Sequence, residues 1–182
     1  MISFIWPPGA PMLAGTGGSE TYTAGQVREL LRRGIEAQVV TVGHGMKDGR
    51  ADFPDVPFLA LTSAAEISRL PGMVVFVNRS YDASTPKKAA IILHYIPPKL
   101  SERKQWQADI KDKTVIATSI YSGQQWALFL DVPYSRIHIV LPFADPVFGN
   151  ARRTKPSSKT RILYAGRSVS YTHLTLPTKR IV

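Results

Sequence analysis

The chain has 182 residues, of which 44% are hydrophobic, a formal net charge of +10 and no cysteine. This length and hydrophobic content are enough for a sizeable core, and the lack of cysteine excludes disulfide bonds and thiolate metal sites. The four histidines, His44, His94, His138 and His173, show no metal-binding spacing, so we expect no metal site.

The positive charge is concentrated in the last part of the chain. Residues 1–150 carry a formal charge of +2, whereas residues 151–182 carry +8 and no acidic side chain. Because the long first segment is nearly neutral, we expect no nucleic-acid partner. No apolar run reaches the roughly 20 residues that span a bilayer. The first residues also lack the basic start of a signal peptide, so we expect a cytoplasmic protein.

The first 42 residues predict a unit of strand, glycine-rich turn, helix and strand. Residues 2–6 and 37–42 are short apolar runs, as in buried parallel strands. The turn before the helix, residues 15–20, reads GTGGSE. A turn in this position lies at the carboxyl edge of the sheet, where open α/β folds bind ligands. The backbone N–H groups of Gly17 and Gly18 either contact a phosphate there or belong to a tight turn without a ligand.

The helix of this unit is predicted from its ends and its apolar face. Ser19 is a candidate N-terminal cap, and Gly34 is suited to the left-handed conformation that ends a helix. Four residues recur at the spacing of one helical face, namely Thr23, Val27, Leu30 and Leu31. We therefore expect this face to pack on the sheet.

Beyond residue 42, apolar runs and helical segments continue to alternate. The predicted strands are residues 57–61, 73–77, 89–94, 114–117 and 136–141. The predicted helical segments are residues 63–70, 101–111 and 120–130. This alternation predicts an α/β fold for residues 1–150, with a doubly wound, mostly parallel, Rossmann-like sheet of six or seven strands.

The chain changes character after residue 150. Residues 151–160 are polar and basic, as in a linker between domains. Residues 161–168 then begin a new strand, which predicts the start of a second domain. Residues 169–182 resemble a translated sequencing adapter, so we expect a non-native tail; the alternative is a genuine short tail.

Four segments resemble, in order, those of glycosyltransferase family four, which comprises retaining, nucleotide-sugar-dependent enzymes of the GT-B fold. GGSE at residues 17–20, with the helix and strand that follow, resembles the N-terminal signature of the family. VIATS at residues 115–119 resembles its V-I-x-x-S element, and LPFADPVF at residues 141–148 resembles its crossover segment. ILYAGR at residues 162–167 is similar to the strand that begins the donor-binding domain.

The chain departs from the family pattern at several points. Ile35 stands where the family usually has histidine, and Pro142 and Phe143 replace Asn-Gly. The paired glutamates of the donor-binding domain have no counterpart in these 182 residues. The resemblance therefore implies the N-terminal, acceptor-side half of a truncated, hexosyltransferase-like enzyme, and we expect this fragment to be inactive by itself.

The resemblance implies substrates and donor-binding residues. The donor would be a nucleotide-diphosphate sugar, and the acceptor a glycan, a lipid-linked or a small molecule. Gly17 and Gly18 would close over the donor diphosphate, and Arg167 would pair with its phosphates through charge-assisted hydrogen bonds. No metal or other cofactor is implied.

Polar residues at two predicted strand ends are the other candidates. The resemblance implies that His94 is catalytic and hydrogen-bonds the transferring sugar or its phosphate. The alternative is a half-buried histidine with a backbone partner. Asn78 and Arg79 either orient the acceptor or belong to a solvated strand terminus.

The segment 99–113 carries Trp106 and Ile110 one helical turn apart among five basic residues. Relatives with lipid-linked acceptors use such a face to lie on membranes. Three acidic residues dilute this face, which favours a solvated amphipathic helix. We therefore expect at most a weak, peripheral contact with the inner face of the membrane.

Other functional classes fit the sequence less well. A dinucleotide-dependent oxidoreductase is disfavoured because Glu20 occupies the third glycine position and the strand at 37–42 ends without an acid for the ribose. Neither a P-loop, a G-x-S-x-G elbow nor a D-x-D motif occurs. The alternative that stays open is a non-catalytic, Rossmann-like module that binds a nucleotide or a glycan.

Overall fold

Seven strands form a single sheet in the computed structural model, which describes residues 1–15, 17–81 and 88–142. They are β1 (Ile2–Ile5), β2 (Ala37–Val42), β3 (Phe58–Leu61), β4 (Met73–Val77), β5 (Ala89–Leu93), β6 (Thr114–Ala117) and β7 (Ile137–Ile139). These residues belong to the first of two units, Met1–Gly149. The predicted linker, the strand at 161–168, Arg167 and the tail lie outside the described residues.

Every strand pairing among the described residues is parallel. The strand order is β3-β2-β1-β4-β5-β6-β7. This order is that of a Rossmann-like sheet, and the predicted α/β fold class is therefore confirmed. The chain builds outward from β1 in one direction and then from β4 in the other. A crevice is expected between the carboxyl ends of β1 and β4, where the direction reverses.

Within the described residues, three α-helices flank the sheet, together with short 3₁₀ segments. The α-helices are α1 (Gly18–Arg32), α2 (Arg103–Ile110) and α3 (Ile120–Leu130). The predicted helical segment at 63–70 is the 3₁₀ helix Ala64–Arg69. The Glu66 carboxylate accepts hydrogen bonds from the backbone N–H groups of Thr62 (3.0 Å) and Ser63 (2.8 Å), which satisfies two donors at the start of this segment.

The core consists of two hydrophobic clusters on the two faces of the sheet. In β4, Val74 and Phe76 belong to the cluster that contains residues of α2 and α3. Val75 and Val77 belong to the cluster that contains residues of α1. Successive side chains of a strand point to opposite faces, so a strand covered on both sides is apolar throughout. This explains why the parallel strands were recognisable as continuous apolar runs.

Two details of the first helix differ from expectation. Gly17 is extended (φ −178°, ψ 179°) and precedes the first helical residue, so Ser19 lies inside the first turn, buried, and is not the cap. Leu31 is 37% exposed, because the buried face is centred on Tyr22, Thr23 and Val27. The prediction for Gly34 is confirmed, since its φ is +75° and its N–H donates to the Leu31 carbonyl oxygen at 2.9 Å.

Candidate functional site

A crevice of about 390 Å³ opens at the carboxyl ends of β1, β4 and β5. It lies at the position that the strand order predicts. The lining residues are Trp6, Pro7, Ala10, Glu20, Asn78, Arg79, Leu93, Tyr95, Ile96, Pro98, Trp106 and Trp126. Three predicted site regions therefore meet here: the glycine turn through Glu20, the end of β4 and the end of β5.

Aromatic side chains form one wall of this carboxyl-edge crevice. Trp106 and Trp126 pack with their ring centroids 4.9 Å apart. The Trp126 indole Nε1–H donates to the backbone carbonyl oxygen of Tyr95 at 2.6 Å, which fixes the chain after β5. Tyr95 and Ile96 are 64% and 67% exposed, so this wall offers an apolar surface to a ligand.

The end of β1 is fixed by a second aromatic contact. The Tyr81 hydroxyl donates to the backbone carbonyl oxygen of Trp6 at 3.1 Å. Burial of the phenol raises the pKa of Tyr81 to about 12, so the hydroxyl stays protonated and can donate this hydrogen bond at neutral pH. Trp6 is itself 5% exposed. This hydrogen bond and the burial of Trp6 thus hold in place the end of β1, where Trp6 and Pro7 line the crevice.

Asn78 occupies a tight turn directly after β4. Its φ is +63°, and the N–H of Arg79 donates back to the carbonyl oxygen of Val77 at 2.7 Å. A non-glycine residue in this left-handed region is strained unless its neighbours hold it there. The Asn78 Oδ1 accepts from the backbone N–H of His94 at 2.9 Å, and the Asn78 N–H donates to the Ile92 carbonyl oxygen at 2.7 Å. Asn78 therefore joins the ends of β4 and β5.

His94 follows β5 and packs against α1. Its ring centroid is 5.0 Å from that of Tyr22, in an edge-on arrangement. Burial lowers the pKa of His94 to about 4, so the imidazole is neutral near pH 7. Its Nε2 is buried and has no hydrogen-bond partner among the described residues. His94 does not itself line the crevice, but both of its chain neighbours do.

Tyr22 connects this histidine to the chain after β7. Its hydroxyl donates to the backbone carbonyl oxygen of Val140 at 2.9 Å. Burial raises the pKa of Tyr22 above its usual value. The ring that faces His94 is thus neutral and held at both ends, by the helix backbone and by this hydrogen bond. A neutral imidazole beside a neutral phenol can exchange hydrogen bonds with a ligand but carries no fixed charge.

Arg79 provides the positive charge of the crevice. Its guanidinium carbon lies 5.4 Å from the centroid of the Trp106 ring, and its Nη2 is 3.6 Å from Glu102 Oε2. The side chain is 53% exposed. An exposed pair at this separation binds weakly, so an anionic ligand group can compete with Glu102 for the guanidinium.

The glycine turn lies beside the crevice at the start of α1. A Cβ on Gly17 would stand 2.9 Å from the Oε2 of Glu20, because this carboxylate folds back over the turn. A Cβ on Gly18 would meet nothing within 4 Å. A side chain at residue 17 would therefore displace the Glu20 carboxylate, whereas open space lies next to Gly18. Thr16 lies outside the described residues.

The loop between β1 and α1 is held in place by hydrogen bonds to the loop after β2. The Met12 N–H donates to the Asp48 carbonyl oxygen at 3.0 Å, and the Ala14 N–H donates to Asp52 Oδ2 at 2.9 Å. The Asp48 side chain is fully buried and pairs with Arg50 at 2.8 Å. Burial raises the pKa of this carboxyl, but hydrogen bonds from Arg50 and Thr41 outweigh it, and the net pKa is lowered.

The solvated amphipathic helix favoured for residues 99–113 agrees with the structure, in which α2 buries its two apolar residues in the core. Trp106 and Ile110 are each 6% exposed and belong to the core cluster beneath α2 and α3. They therefore form no apolar face toward solvent or a membrane. The partner that buries Trp106 is Trp126, which lies twenty positions further along the chain and is invisible to a helical spacing rule.

Comparison with known proteins adds one finding. No protein-family model matches the sequence, and no curated protein matches it. The structure is similar to the crystal structure of a glycosyltransferase from Rickettsia africae ESF-5, with a TM-score of 0.55 and 15% sequence identity. The fold is glycosyltransferase-like. The similarity covers 82% of this chain and 45% of the Rickettsia protein, so the chain spans less than half the length of that enzyme.

Several residues of this glycosyltransferase-like fold were not predicted as site residues. Glu20, Tyr22 and Tyr95 contact or line the site although sequence reasoning gave none of them a role. Glu20 was detectable, since it follows the glycines directly. Tyr22 and Tyr95 reach the site through long-range packing, which no local motif records.

The described residues contain no group of three or more His, Asp or Glu side chains placed to hold a metal ion. Within the same residues, no helix has both the length and the apolar composition needed to cross a membrane.

Proposed function

We propose that this chain is the acceptor-side half of a retaining glycosyltransferase of family four, which uses a nucleotide sugar. The supporting observation is the crevice at the switch point of the sheet, which an aromatic wall and Arg79 line, with the neutral His94 between two of the lining residues, Leu93 and Tyr95. The glycosyltransferase-like fold supports the same class. In the proposed enzyme the donor-binding half follows residue 160.

Each group has a distinct proposed role. The backbone at Gly17 and Gly18 would approach the departing diphosphate, since open space lies beside Gly18. Arg79 would pair with a polar or anionic group of the acceptor, which would lie on the aromatic wall. Asn78 would act as a positioning residue, because its Oδ1 already accepts the His94 N–H.

His94 is proposed to act as a neutral hydrogen-bonding group. Since its pKa is about 4, it would enter the reaction unprotonated. As a neutral imidazole it could accept a hydrogen bond from a sugar hydroxyl. Arg167 would complete the donor side by binding phosphate oxygens.

Further proposals concern the acceptor, the cofactor requirement and the cellular location of the enzyme. The acceptor would be a glycan, a lipid-linked or a small molecule, and no metal or organic cofactor would be needed. We propose a cytoplasmic enzyme with, at most, weak peripheral contact with the inner face of the membrane. The alternative is a non-catalytic, Rossmann-like module that binds a nucleotide or a glycan.

The chain offers a built-in probe for ligand binding. It has three tryptophans, and all of them line the carboxyl-edge crevice. Tryptophan fluorescence should therefore change on addition of uridine, guanosine or adenosine diphosphate sugars, or of saccharide acceptors. R79M should weaken such binding at least about tenfold because it removes the guanidinium cation that lines the crevice. K104M, which removes an exposed charge of α2 away from the crevice lining, should leave binding unchanged.

The transfer reaction tests the division into halves. Purified residues 1–182 should release no nucleoside diphosphate from these sugars in the presence of saccharide acceptors, since the donor phosphates lack their main site. Sustained release by the chain alone would contradict the proposal that a second half is required. A fluorescence change insensitive to R79M would contradict the proposed binding surface.

A further inference from the structure

A second cavity opens at the amino edge of the sheet, away from the carboxyl-edge crevice. Its volume is about 630 Å³. The first residues of three neighbouring strands line it, namely Met73, Ala89 and Thr114. All strands are parallel, so this edge is the one opposite to Asn78 and His94. The amino-edge cavity therefore belongs to no part of the candidate site.

The amino-edge cavity is strongly basic. Four cations line it, Lys88, Lys111, Lys113 and Arg136, against one carboxylate, Asp112. Among the residues that the structure describes, none of these four cations forms an ion pair, whereas five ion pairs occur elsewhere. Unneutralised charges of one sign around a concave surface focus the field and attract counter-ions.

The backbone under these cations is fixed by hydrogen bonds. The Lys88 carbonyl oxygen accepts from the Val74 N–H at 3.0 Å, which ties it to β4. The Lys113 N–H donates to the Ile110 carbonyl oxygen at 3.0 Å, and the Arg136 N–H donates to that of Pro133 at 2.9 Å. The side chains thus project from ordered positions at three strand starts, and binding a ligand need not order the loops that carry them.

Lys113 forms part of the cavity wall. Its Nζ donates to the Asp109 carbonyl oxygen and lies 5.4 Å from the centroid of the Phe76 ring. Burial lowers the pKa of its ammonium group, and the charges of Asp109 and Asp112 oppose this effect. A bound anion would stabilise the charged form of this partly buried group.

We propose that the amino-edge cavity binds a multivalent, phosphate-bearing ligand, at a site independent of sugar transfer. Arg136 offers a planar donor pair that fits two phosphate oxygens, and the lysines offer point charges. The hydroxyl groups of Thr114 and Ser135, which also line the cavity, supply neutral donors. The volume accommodates a chain of two or three phosphate groups.

Titration of the full chain with tripolyphosphate, followed by two-dimensional amide NMR, tests this site. Saturable shifts are expected at residues 88, 111–114 and 135–138, and not at residues 17–20. K111Q/R136Q should lower the affinity at least about tenfold, since it removes two exposed cations that hold no carboxylate. K47Q/K104Q removes the same charge from exposed positions outside the cavity and should change the affinity little.

A parallel measurement distinguishes the two sources of such a phosphate. Co-sedimentation with phosphatidylcholine vesicles that contain phosphatidic acid, abolished by K111Q/R136Q and by tripolyphosphate, would identify a lipid headgroup. Tripolyphosphate binding without vesicle binding would identify a free anion. Equal losses in the two double variants, shifts confined to residues 17–20 or the absence of saturation would each overturn the proposal. None of these results depends on glycosyl transfer.

Discussion

At the scale of single residues, Asn78 lines the crevice and also joins the ends of β4 and β5 through its hydrogen bonds. Its φ is +63°, and its Oδ1 accepts a hydrogen bond from the backbone N–H of His94. This bond joins the residue that follows β4 to the residue that follows β5. Asparagine suits both demands, because it tolerates the left-handed region and offers an acceptor at short reach. The Asn78 side chain, which was predicted to orient the acceptor, therefore stabilises the backbone beside His94.

Substitution at Asn78 should separate strain from hydrogen bonding. N78A loses the acceptor and replaces asparagine, which tolerates φ +63°, with alanine, which does so less well; together these changes should cost about 2 to 4 kcal/mol of unfolding free energy. N78G loses only the acceptor and should be about 1 kcal/mol more stable than N78A. Urea denaturation measures both. Equal stability of the two variants would contradict the strained turn.

His94 should make the stability of the chain depend on pH. Its pKa is about 4 in the folded chain and 6.5 when unfolded, so below pH 6.5 the unfolded state takes up a proton first. Between pH 7 and pH 4, the free energy of unfolding should fall by about 2 to 3 kcal/mol more in the unsubstituted chain than in H94Q, in which residue 94 cannot titrate. Chemical denaturation at several pH values checks this. Parallel profiles for the two proteins would show that His94 is not buried as described.

At the scale of elements, the loops after β1 and β2 form one support for the glycine turn. Gly9 and Gly49 have the same φ of +94°, but only Gly49 lies against another loop, where a Cβ would overlap the Met12 carbonyl oxygen. G9A should therefore show only the backbone cost of about 1 kcal/mol. G49A should lose about 2 kcal/mol or more beyond that, because the Met12 loop must move.

Thermal or urea unfolding of the two alanine variants tests this support. In G49A we also expect weaker tryptophan quenching by ligands, because Trp6 and Ala10 precede Met12 in the same loop and line the crevice. G9A serves as the matched control for the backbone term. If G49A unfolds at the same denaturant concentration as G9A, the two loops do not contact as described.

Local sequence predicted the elements well and their contacts poorly. Parallel strands such as β4 and β5 are apolar on both faces, so they were visible as uninterrupted runs. The strand order could not be predicted locally, because the pairing of β1 with β4 joins residues about seventy positions apart. The contact between the rings of Tyr22 and His94 was not predicted for the same reason, because these residues are also far apart in the sequence. Ser19 was misplaced because the helix starts at Gly18, whereas a cap at Ser19 requires a start at Glu20, two residues later.

At the scale of the whole molecule, the two edges of the sheet differ in chemistry. The carboxyl edge combines aromatic side chains with Arg79 and a neutral histidine, whereas the amino edge is lined by four cations. Residues 1–150 carry a formal charge of only +2, yet four of their basic side chains line the amino-edge cavity beside one carboxylate. The proposed nucleotide-sugar site and the proposed second phosphate site would therefore lie at opposite edges of one sheet.

The central claim is that the carboxyl-edge crevice binds the substrates of sugar transfer. Amide NMR of the full chain, titrated in parallel with nucleotide sugars, saccharides and oxidised nicotinamide dinucleotide, tests it most directly. The sugar ligands should shift the signals of residues 17–20, 78–79 and 94–95, and the dinucleotide should shift none of them. Tight dinucleotide binding at these residues, or sugar-induced shifts only elsewhere, would contradict the account.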